Sequence, residues 1–428
     1  MQSELEKRTT AKVLWRIIPA IFTLYVISYI DRANIGYAAL QMNQELALTS
    51  SGFGFAAGVF FIGYFLFEVP SNLALARFGA RVWIARILIS WGLVAAANAF
   101  VQTAAQLYVA RFLLGVAEAG FFPGIIVYLT CWFRKQDQAA SVALFAAAIP
   151  VSYLVGAPLS TWIMDHVTAF GLSGWRWMLL LEGIPAVLGG AWCYFFLTDG
   201  PQQATWLSEA EKAWLTGELA KDHLPQTHVT TLSTWQAIAH PKVLELALIY
   251  FVYQAGSLGV GYWMPQIIAS LAGRTTNFEV GLIAVLPYAV ATIAMILWSV
   301  HSDKTGERQS HSALPLLLAA ITLGATGFTR SPIPALLLIA AALAGLYAFK
   351  SPFWSLPGLF LSRSTAAVSI AAINSIGNLG GFVGPYLLGV VKSETGAPLG
   401  GLLFLSALLF AAFLLTQFGH FAVGPTRQ

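Results

Sequence analysis

Charged residues are scarce in this sequence. Only 10% of its 428 residues are Asp, Glu, Lys or Arg, whereas 57% are hydrophobic. Soluble domains carry about 25% charged residues, so this composition excludes a soluble globular protein. Continuous apolar stretches of about 20 residues recur along the whole chain, and this is the length that a helix needs to cross a bilayer. Membrane β-barrels alternate apolar and polar residues instead, so the sequence predicts an all-α membrane protein.

Cysteine and histidine are also few. The two cysteines, Cys131 and Cys193, fall within or beside predicted spans and form no disulfide framework. No two of the seven histidines have metal-ligand spacing within a helix, so we expect no metal site and no bound cofactor. The net charge of +4 does not indicate nucleic-acid binding, because the basic residues follow the membrane topology. We expect a monomer whose partners are the lipid bilayer and a small substrate, with no nucleic acid.

Twelve transmembrane spans are predicted from the apolar stretches. They cover residues 13–40, 52–76, 82–102, 105–132, 138–164, 177–198, 242–270, 278–300, 312–329, 333–356, 365–391 and 399–422. The longest connection is polar and divides the chain into two halves of six spans each. We therefore expect helical bundles at 1–198 and 242–428, joined by a loop at 199–241. Residues 208–212 are predicted to form a short surface helix within this solvated linker.

Basic residues are distributed unequally between the two sides of the predicted bundle. If the N-terminus is inside, the outside segments hold only Arg176, Arg274, Arg330 and Lys392 of the 23 lysines and arginines. Loops that are rich in lysine and arginine stay on the cytoplasmic side. We therefore expect a multi-pass protein of the cytoplasmic (inner) membrane, with both termini and the central loop in the cytoplasm.

The loops after the second and eighth predicted spans share a pattern. Residues 77–81 and 304–308 both read basic, any residue, glycine, any residue, basic. The two halves therefore repeat in the same orientation. Transporters built in this way bind their substrate between the halves, near the middle of the membrane.

Ionisable residues within the predicted spans are the main candidates for function. They are Asp31, Arg32, Glu68, Arg111, Glu118, Glu182, Glu245 and Lys350. A charged side chain at the bilayer centre costs about 2.5–3.5 kcal/mol, so such residues rarely serve packing alone. Neighbours on a helix point about 100° apart, so Asp31 and Arg32 need partners on different spans. We predict Asp31–Arg111 or Arg32–Glu118 contacts between spans one and four. The structural alternative is a static ion network that braces the first half.

Two acids and a tyrosine on other spans are further candidates. Tyr64 lines a cavity as a hydroxyl donor or is simply a core aromatic residue. Glu68 lies one turn further along the same span and only nine residues before Arg77, which favours a structural or gating role. Glu182 is expected to be structural, near the outer end of span six and six residues after Arg176.

The second half contributes fewer charges. Lys350, Ser351 and Trp354 cluster on span ten beside Pro352, and an interrupted helix at membrane depth usually lines a cavity. Lys350 is either a second cation for a dianionic substrate or a lysine that extends to the interface. Asn374 lies among glycines of span eleven, which allow close helix approach.

Several ordered stretches resemble the anion:cation symporter family of the major facilitator superfamily. They are residues 30–36, 63–72, 79–86, 111–124, 174–177 and 374–378. The similarity covers essentially the full length, and it is greatest to bacterial permeases for phthalate, nicotinate, 4-hydroxyphenylacetate and tartrate. The sequence departs from the family at Ala76, where the superfamily motif usually has Asp, and at residues 134–138. Both departures concern how the inner gate is latched.

The resemblance implies the major facilitator fold and assigns roles to individual residues. Asp31 and Glu118 match the positions that carry coupling protons, and Arg32 matches an arginine that helps to bind the substrate carboxylate. The positions that match substrate contacts in the second half are Ser351, Trp354 and Asn374. With Glu68, the loop residues expected to form the gate are Arg77, Arg81, Asp303 and Arg308.

These observations predict a proton-coupled symporter that imports an organic carboxylate, either an aromatic acid or a hydroxy or sugar acid. Protonation of Asp31 and Glu118 would release Arg32 and Arg111 for the substrate, so that no bare charge crosses a low-dielectric region. The alternative is an anion exchanger without proton coupling, against which the two membrane acids argue. No nucleophile or metal constellation supports an enzyme, and the longest loop is too small for the signalling module of a receptor.

Overall fold

The computed structural model describes residues 2–222, 236, 238–273, 275–329, 331–359, 363–396, 398–419 and 421. Throughout these residues the regular secondary structure is helical, and they contain no β-strand. Part of the predicted central loop, including Pro225, lies outside the described residues. The same applies to Arg274 and Arg330, which contribute to the predicted charge asymmetry.

The first half of the chain folds into the helices α1 to α8. They are α1 (Gln2–Glu45), α2 (Ser50–Phe78), α3 (Ala80–Ala97), α4 (Ala104–Glu118), α5 (Phe121–Thr130), α6 (Lys135–Ala146), α7 (Ala148–His166) and α8 (Gly174–Phe196). Predicted spans four and five are each divided into two helices. The division between α4 and α5 lies at Gly120, whose φ of 86° is left-handed and strains any residue with a Cβ.

One helix of the central segment and the helices of the second half complete the fold. They are α9 (Glu209–Asp222), α10 (Pro241–Ala272), α11 (Asn277–Thr305), α12 (Gln309–Thr326), α13 (Pro332–Ser355), α14 (Arg363–Asn378), α15 (Gly380–Thr395) and α16 (Pro398–Phe418). Polar side chains start several of them. The hydroxyl of Thr276 accepts a hydrogen bond from the Glu279 N–H, and the Glu279 carboxylate accepts one from the Thr276 N–H, which forms a capping box for α11.

Ten helical segments of the described chain are long and apolar enough to cross a membrane. Two further predicted spans, 312–329 and 365–391, correspond to α12 and to α14 with α15, which are separated at Leu379. The prediction for the first span was too short. Helix α1 extends from Gln2 to Glu45, because the polar residues before the apolar run continue the same helix.

The two halves pack against each other chiefly through three pairs of helices. These pairs are α1 with α10, α2 with α15, and α7 with α11. Glycine permits the closest approach: a Cβ on Gly54 of α2 would lie 2.3 Å from the carbonyl oxygen of Pro385 in α15. Small residues at such crossings are typical of membrane helices, because they let two backbones come together.

Several polar contacts between the halves lie near the distal face, which we define as the end of the bundle where α1 ends at Glu45. They are Ser51 with Ser393, Asn43 with Gln266, and Asp165 with Asn277 and Phe278. In the last of these, the Asp165 carboxylate accepts hydrogen bonds of 2.6 and 2.7 Å. These contacts join the halves at the distal face, which is opposite the terminal face where α1 begins.

Helix α9 docks on the terminal face. The predicted helix at residues 208–212 forms, but the expectation of a fully solvated linker was wrong at Glu211, which is completely buried. Its carboxylate pairs with Lys12 at 2.9 Å and Arg8 at 3.3 Å. Burial alone raises the pKa of Glu211, but hydrogen bonds from Ser208 and Lys12 outweigh this and lower the pKa below its ordinary value.

Candidate functional site

Arg32 and Glu118 form an ion pair between α1 and α4. The Arg32 Nη2 donates to Glu118 Oε1, and the Ser28 hydroxyl donates to the same oxygen at 2.9 Å. Ser28 and Arg32 are four residues apart on one helix, so their side chains share a face. The Glu118 side chain is only 1% exposed. The predicted Arg32–Glu118 contact is thereby confirmed.

Aromatic rings surround the Arg32 guanidinium. Its central carbon lies 5.1 Å from the ring centre of Tyr29, 5.3 Å from Phe60 and 5.6 Å from Tyr64. Such cation–π contacts stabilise a partly desolvated cation. Tyr64 is itself buried, so it is a core residue that also faces the arginine. The Arg32 Nε has no hydrogen-bond partner among the described residues, which leaves one donor available.

Asp31 points away from this pair, as expected because neighbouring residues of a helix point about 100° apart. Its Oδ2 accepts a hydrogen bond of 2.9 Å from the Trp91 indole N–H of α3. The Arg111 Nε donates to the Ala56 carbonyl oxygen at 3.4 Å. Asp31 and Arg111 are not within ion-pair distance in the described structure, although both line one small cavity. Of the two predicted contacts, only Arg32–Glu118 therefore forms.

Glu182, for which we expect a structural role, is held by two neutral donors. Its carboxylate accepts hydrogen bonds from the Asn34 amide at 3.0 Å and from the Ser160 hydroxyl at 2.6 Å. Arg176 instead pairs with Glu45 at the distal face, at 2.8 Å. Glu182 therefore contacts Asn34, which lies one helical turn after Asp31 on α1, and does not pair with Arg176. The sequence singles out Glu182 as an acid within an apolar run, but it does not reveal the partners of Glu182, which lie on other helices.

A row of tyrosines connects Arg32 with Lys350 of the second half. The rings of Tyr29 and Tyr153 are 6.2 Å apart, and those of Tyr153 and Tyr347 are 6.4 Å apart, both edge to face. The Lys350 Nζ lies 5.3 Å from the ring centre of Tyr347. Arg32 of the first half and Lys350 of the second half therefore lie at opposite ends of this row of tyrosine rings.

Two other predicted contacts of span ten have separate surroundings. The Ser351 hydroxyl forms a hydrogen bond of 2.7 Å with the Ser299 hydroxyl of α11. Trp354 packs edge to face on Tyr250 of α10, with ring centres 4.9 Å apart. Among the described contacts, neither residue touches the Arg32–Glu118 pair.

Glu68 joins the two halves. Its carboxylate accepts a hydrogen bond of 2.5 Å from the Ser375 hydroxyl and one of 3.5 Å from the Asn374 amide. The predicted gating residue and a predicted substrate contact therefore meet each other. Arg77 lies exposed near the end of the same helix, with its guanidinium 5.4 Å from the Phe78 ring.

The two repeated loops are held by carboxylates in different ways. In the second half, Arg308 Nη1 pairs with Asp303 at 2.6 Å. In the first half, the Arg81 N–H donates to the Asp199 carboxylate at 2.8 Å. Sequence reasoning missed Asp199, which supplies a carboxylate at the loop where Ala76 replaces the usual acid. The signal was weak, because Asp199 follows Arg81 by more than a hundred residues.

Comparisons with known proteins agree with this architecture. The family model described as Major Facilitator Superfamily matches residues 21–385. Two proteins of Agrobacterium vitis named "Putative tartrate transporter" are 47% and 48% identical over 97% of this chain, and the matches cover 92% and 95% of their own lengths. A bacterial homologue of the lysosomal transporter Spinster, solved in an inward-facing unoccupied conformation, has a TM-score of 0.77 at 16% identity, over 97% of this chain and 99% of that chain.

Proposed function

Because the chain belongs to the Major Facilitator Superfamily, it is a multi-pass membrane transport protein rather than an enzyme, and we propose that it imports an organic carboxylate together with protons. The observation that carries this proposal is the buried pair of Arg32 and Glu118. A guanidinium that is held by a protonatable acid becomes available to an anion once that acid binds a proton. Proton binding and carboxylate binding are then linked at one place.

The substrate that fits the site best is a hydroxy dicarboxylate. Arg32 and Lys350 belong to opposite halves and flank the row of tyrosines between them. Two cations suit two carboxylates, and the tyrosine hydroxyls suit the hydroxyl groups of the substrate. The name of the two Agrobacterium relatives, which refers to tartrate, supports the same class. Arginine is suited to one carboxylate because its planar fork makes two parallel hydrogen bonds.

The transport cycle follows from these contacts. Protonation of Glu118 breaks its pair with Arg32, and the freed guanidinium binds a substrate carboxylate. Asp31 takes up a second proton beside Arg111, so the loaded site carries little net charge through the membrane interior. Release of substrate and protons on the other side restores the Arg32–Glu118 pair, which returns the empty protein to its starting state.

Alternation between the two faces uses the contacts between the halves. Glu68 with Asn374 and Ser375 forms a link that can close one side. The distal contacts at Ser51 and Ser393 close the other. We propose that the distal face is extracellular and that both termini are cytoplasmic, in the inner membrane, since the basic residues gather at the terminal face. One chain contains the complete site, so a monomer suffices.

Uptake by purified protein in proteoliposomes tests the proposal. Radiolabelled tartrate should accumulate under an inward proton gradient, and a collapsed gradient should abolish accumulation. A competition series of aromatic, hydroxy and sugar acids, with mono- and dicarboxylates matched in size, then defines the substrate class. Exchange of internal for external substrate that ignores pH, together with no gradient-driven accumulation, would contradict proton coupling and favour the exchanger.

A further inference from the structure

A cavity of about 10 Å³ lies between α1, α3, α4 and α8. Its apolar lining includes Ile35 and Leu179, and its polar lining consists of Asp31, Asn34, Asn98 and Arg111. A cavity needs roughly 10–15 Å³ on this measure to hold one water molecule, together with two to four polar partners. The space therefore matches a single water.

Each polar lining residue has one atom without a hydrogen-bond partner in the described part of the chain. These atoms are Asp31 Oδ1, Asn34 Oδ1, Asn98 Oδ1 and Arg111 Nη2. All four residues are at most 3% exposed. Buried polar atoms are normally paired, because an unpaired one retains its full desolvation cost. Four such atoms around one small cavity therefore point to a common ligand.

The orientation of the two asparagine amides is fixed by their other atoms. The Asn34 Nδ2 donates to Glu182 at 3.0 Å, and the Asn98 Nδ2 donates to the Val94 carbonyl oxygen at 2.7 Å. Both amide oxygens are thus left as acceptors. The cavity therefore offers two neutral acceptors, one cationic donor and the carboxyl of Asp31.

We propose that this cavity binds one water molecule that links Asp31 to Arg111, and that its hydrogen bonds are complete only when Asp31 is protonated. Water offers two hydrogens and two lone pairs. With protonated Asp31, the carboxyl O–H and Arg111 donate to the water, and the water donates to Asn34 and Asn98. With ionised Asp31, three acceptors compete for two hydrogens, so one acceptor stays unpaired.

The proposal deepens the proposed function, because it rests on Asp31 as a proton site. In this step the proton binds at Asp31 Oδ1, and the other groups that line the cavity keep their protonation. The charged groups that face Asp31 are Arg111 and Glu118 of α4 and Glu182 of α8, whereas α3 contributes the uncharged indole of Trp91. Asn98 is then a positioning residue, since it holds the water that completes the protonated state.

Replacement of Asn98 tests whether the water favours the protonated form of Asp31. Asn98→Leu removes one acceptor. The two hydrogens of the water then match the two acceptors that remain when Asp31 is ionised, whereas one hydrogen stays unpaired when Asp31 is protonated. The midpoint of Asp31 protonation should then fall by about one pH unit, the shift that one unpaired buried acceptor produces. Infrared titration of the purified protein measures it, with the Asp31 band identified by its loss in Asp31→Asn. Asn98→Ser keeps an oxygen acceptor and should titrate close to the wild type, as should Ile35→Val, which lines the same cavity.

The outcomes separate this inference from the proposed function. An unchanged midpoint in Asn98→Leu, or equal shifts in the leucine and serine variants, would overturn the water site. If Asn98→Leu does not fold, a density map of the wild type decides: density between Asp31 Oδ1 and Arg111 Nη2 supports the site, and a direct contact of these atoms overturns it. If Asp31 titrates as expected but wild-type uptake ignores pH, the water site stands and proton coupling fails.

Discussion

At the scale of single residues, Arg32 is the group on which the proposed transport cycle depends. One carboxylate and three aromatic rings surround its guanidinium, and all of them lie in the first half. The rings hold the side chain in place whether or not Glu118 is ionised, because their attraction does not depend on the proton. In the proposed cycle, the arginine is therefore held in position to bind the substrate once the carboxylate releases it.

Substitution of Arg32 by lysine tests the importance of this geometry. Arg32→Lys keeps the charge but loses the planar fork, so at least one charge-assisted hydrogen bond to the carboxylate is lost. We expect the KM for the substrate to rise about 10- to 100-fold. Uptake kinetics in proteoliposomes measure this change. Arg86→Lys is the matched control, since Arg86 also stacks on a ring, that of Trp83, but lies near the start of α3. An unchanged KM in Arg32→Lys would remove Arg32 from the binding site.

Glu182 illustrates how a buried acid can be held by neutral donors alone. Glu182→Gln retains one oxygen for the Asn34 amide and gains a donor for the Ser160 hydroxyl. Glu182→Leu leaves both groups unpaired, at a cost of about 1–3 kcal/mol each. We expect the thermal unfolding temperature of purified protein to fall clearly more in the leucine variant. Equal unfolding temperatures for the two variants would contradict these hydrogen bonds.

At the scale of helices, α9 attaches the central segment to α1. Glu211 accepts hydrogen bonds from the Ser208 N–H and the Lys12 ammonium, so the helix is held by a buried carboxylate rather than by apolar packing alone. Because the pKa of Glu211 is lowered in the folded protein, the contribution of the ionised carboxylate to stability is present above the ordinary value of 4.5. It is lost as the pH falls through the lowered value.

The stability of a Glu211→Gln variant at several pH values tests this pH dependence. At neutral pH the variant should be less stable than the wild type, since it loses its pairs with Lys12 and Arg8. The difference should shrink as the pH falls below 4.5, because the wild-type carboxylate is then protonated too. Thermal unfolding at several pH values measures both curves. Glu209→Gln, at an exposed position of the same helix, is the control. A difference that grows in acid would contradict the account.

The sequence predicted elements better than it predicted their partners. Continuous apolar runs indicate where helices cross a membrane, and the helical angle separates Asp31 from Arg32 without any structure. The partners of Glu182 and Glu211 lie on helices distant in sequence, so no local spacing reveals them. Asn98 gave no signal at all, because one amide beside an apolar run is ordinary, and only the arrangement of four helices gives its oxygen a role.

At the scale of the whole molecule, the crossing of α2 with α15 holds the two halves together near the distal face. Gly54→Leu should force α2 and α15 apart, because a Cβ there would lie 2.3 Å from the Pro385 oxygen. Spin labels at Ser51→Cys and Ser393→Cys report the separation by pulsed electron resonance. We expect a longer distance and impaired uptake in the glycine variant, whereas Gly217→Leu, at an open position of α9, should change neither. An unchanged distance between the two labels would contradict the close approach of α2 and α15 at Gly54.

The central claim is that proton binding at Glu118 releases Arg32 for a carboxylate. Simultaneous recording of proton and substrate flux in proteoliposomes tests it most directly, with wild type and Glu118→Gln compared in the same preparation. Glutamine cannot take up the proton but leaves the arginine without its carboxylate. The account therefore predicts that Glu118→Gln still exchanges internal for external substrate but accumulates far less of it under a proton gradient, because only Asp31 can still bind a coupling proton. Gradient-driven accumulation at the wild-type level in this variant would contradict the account.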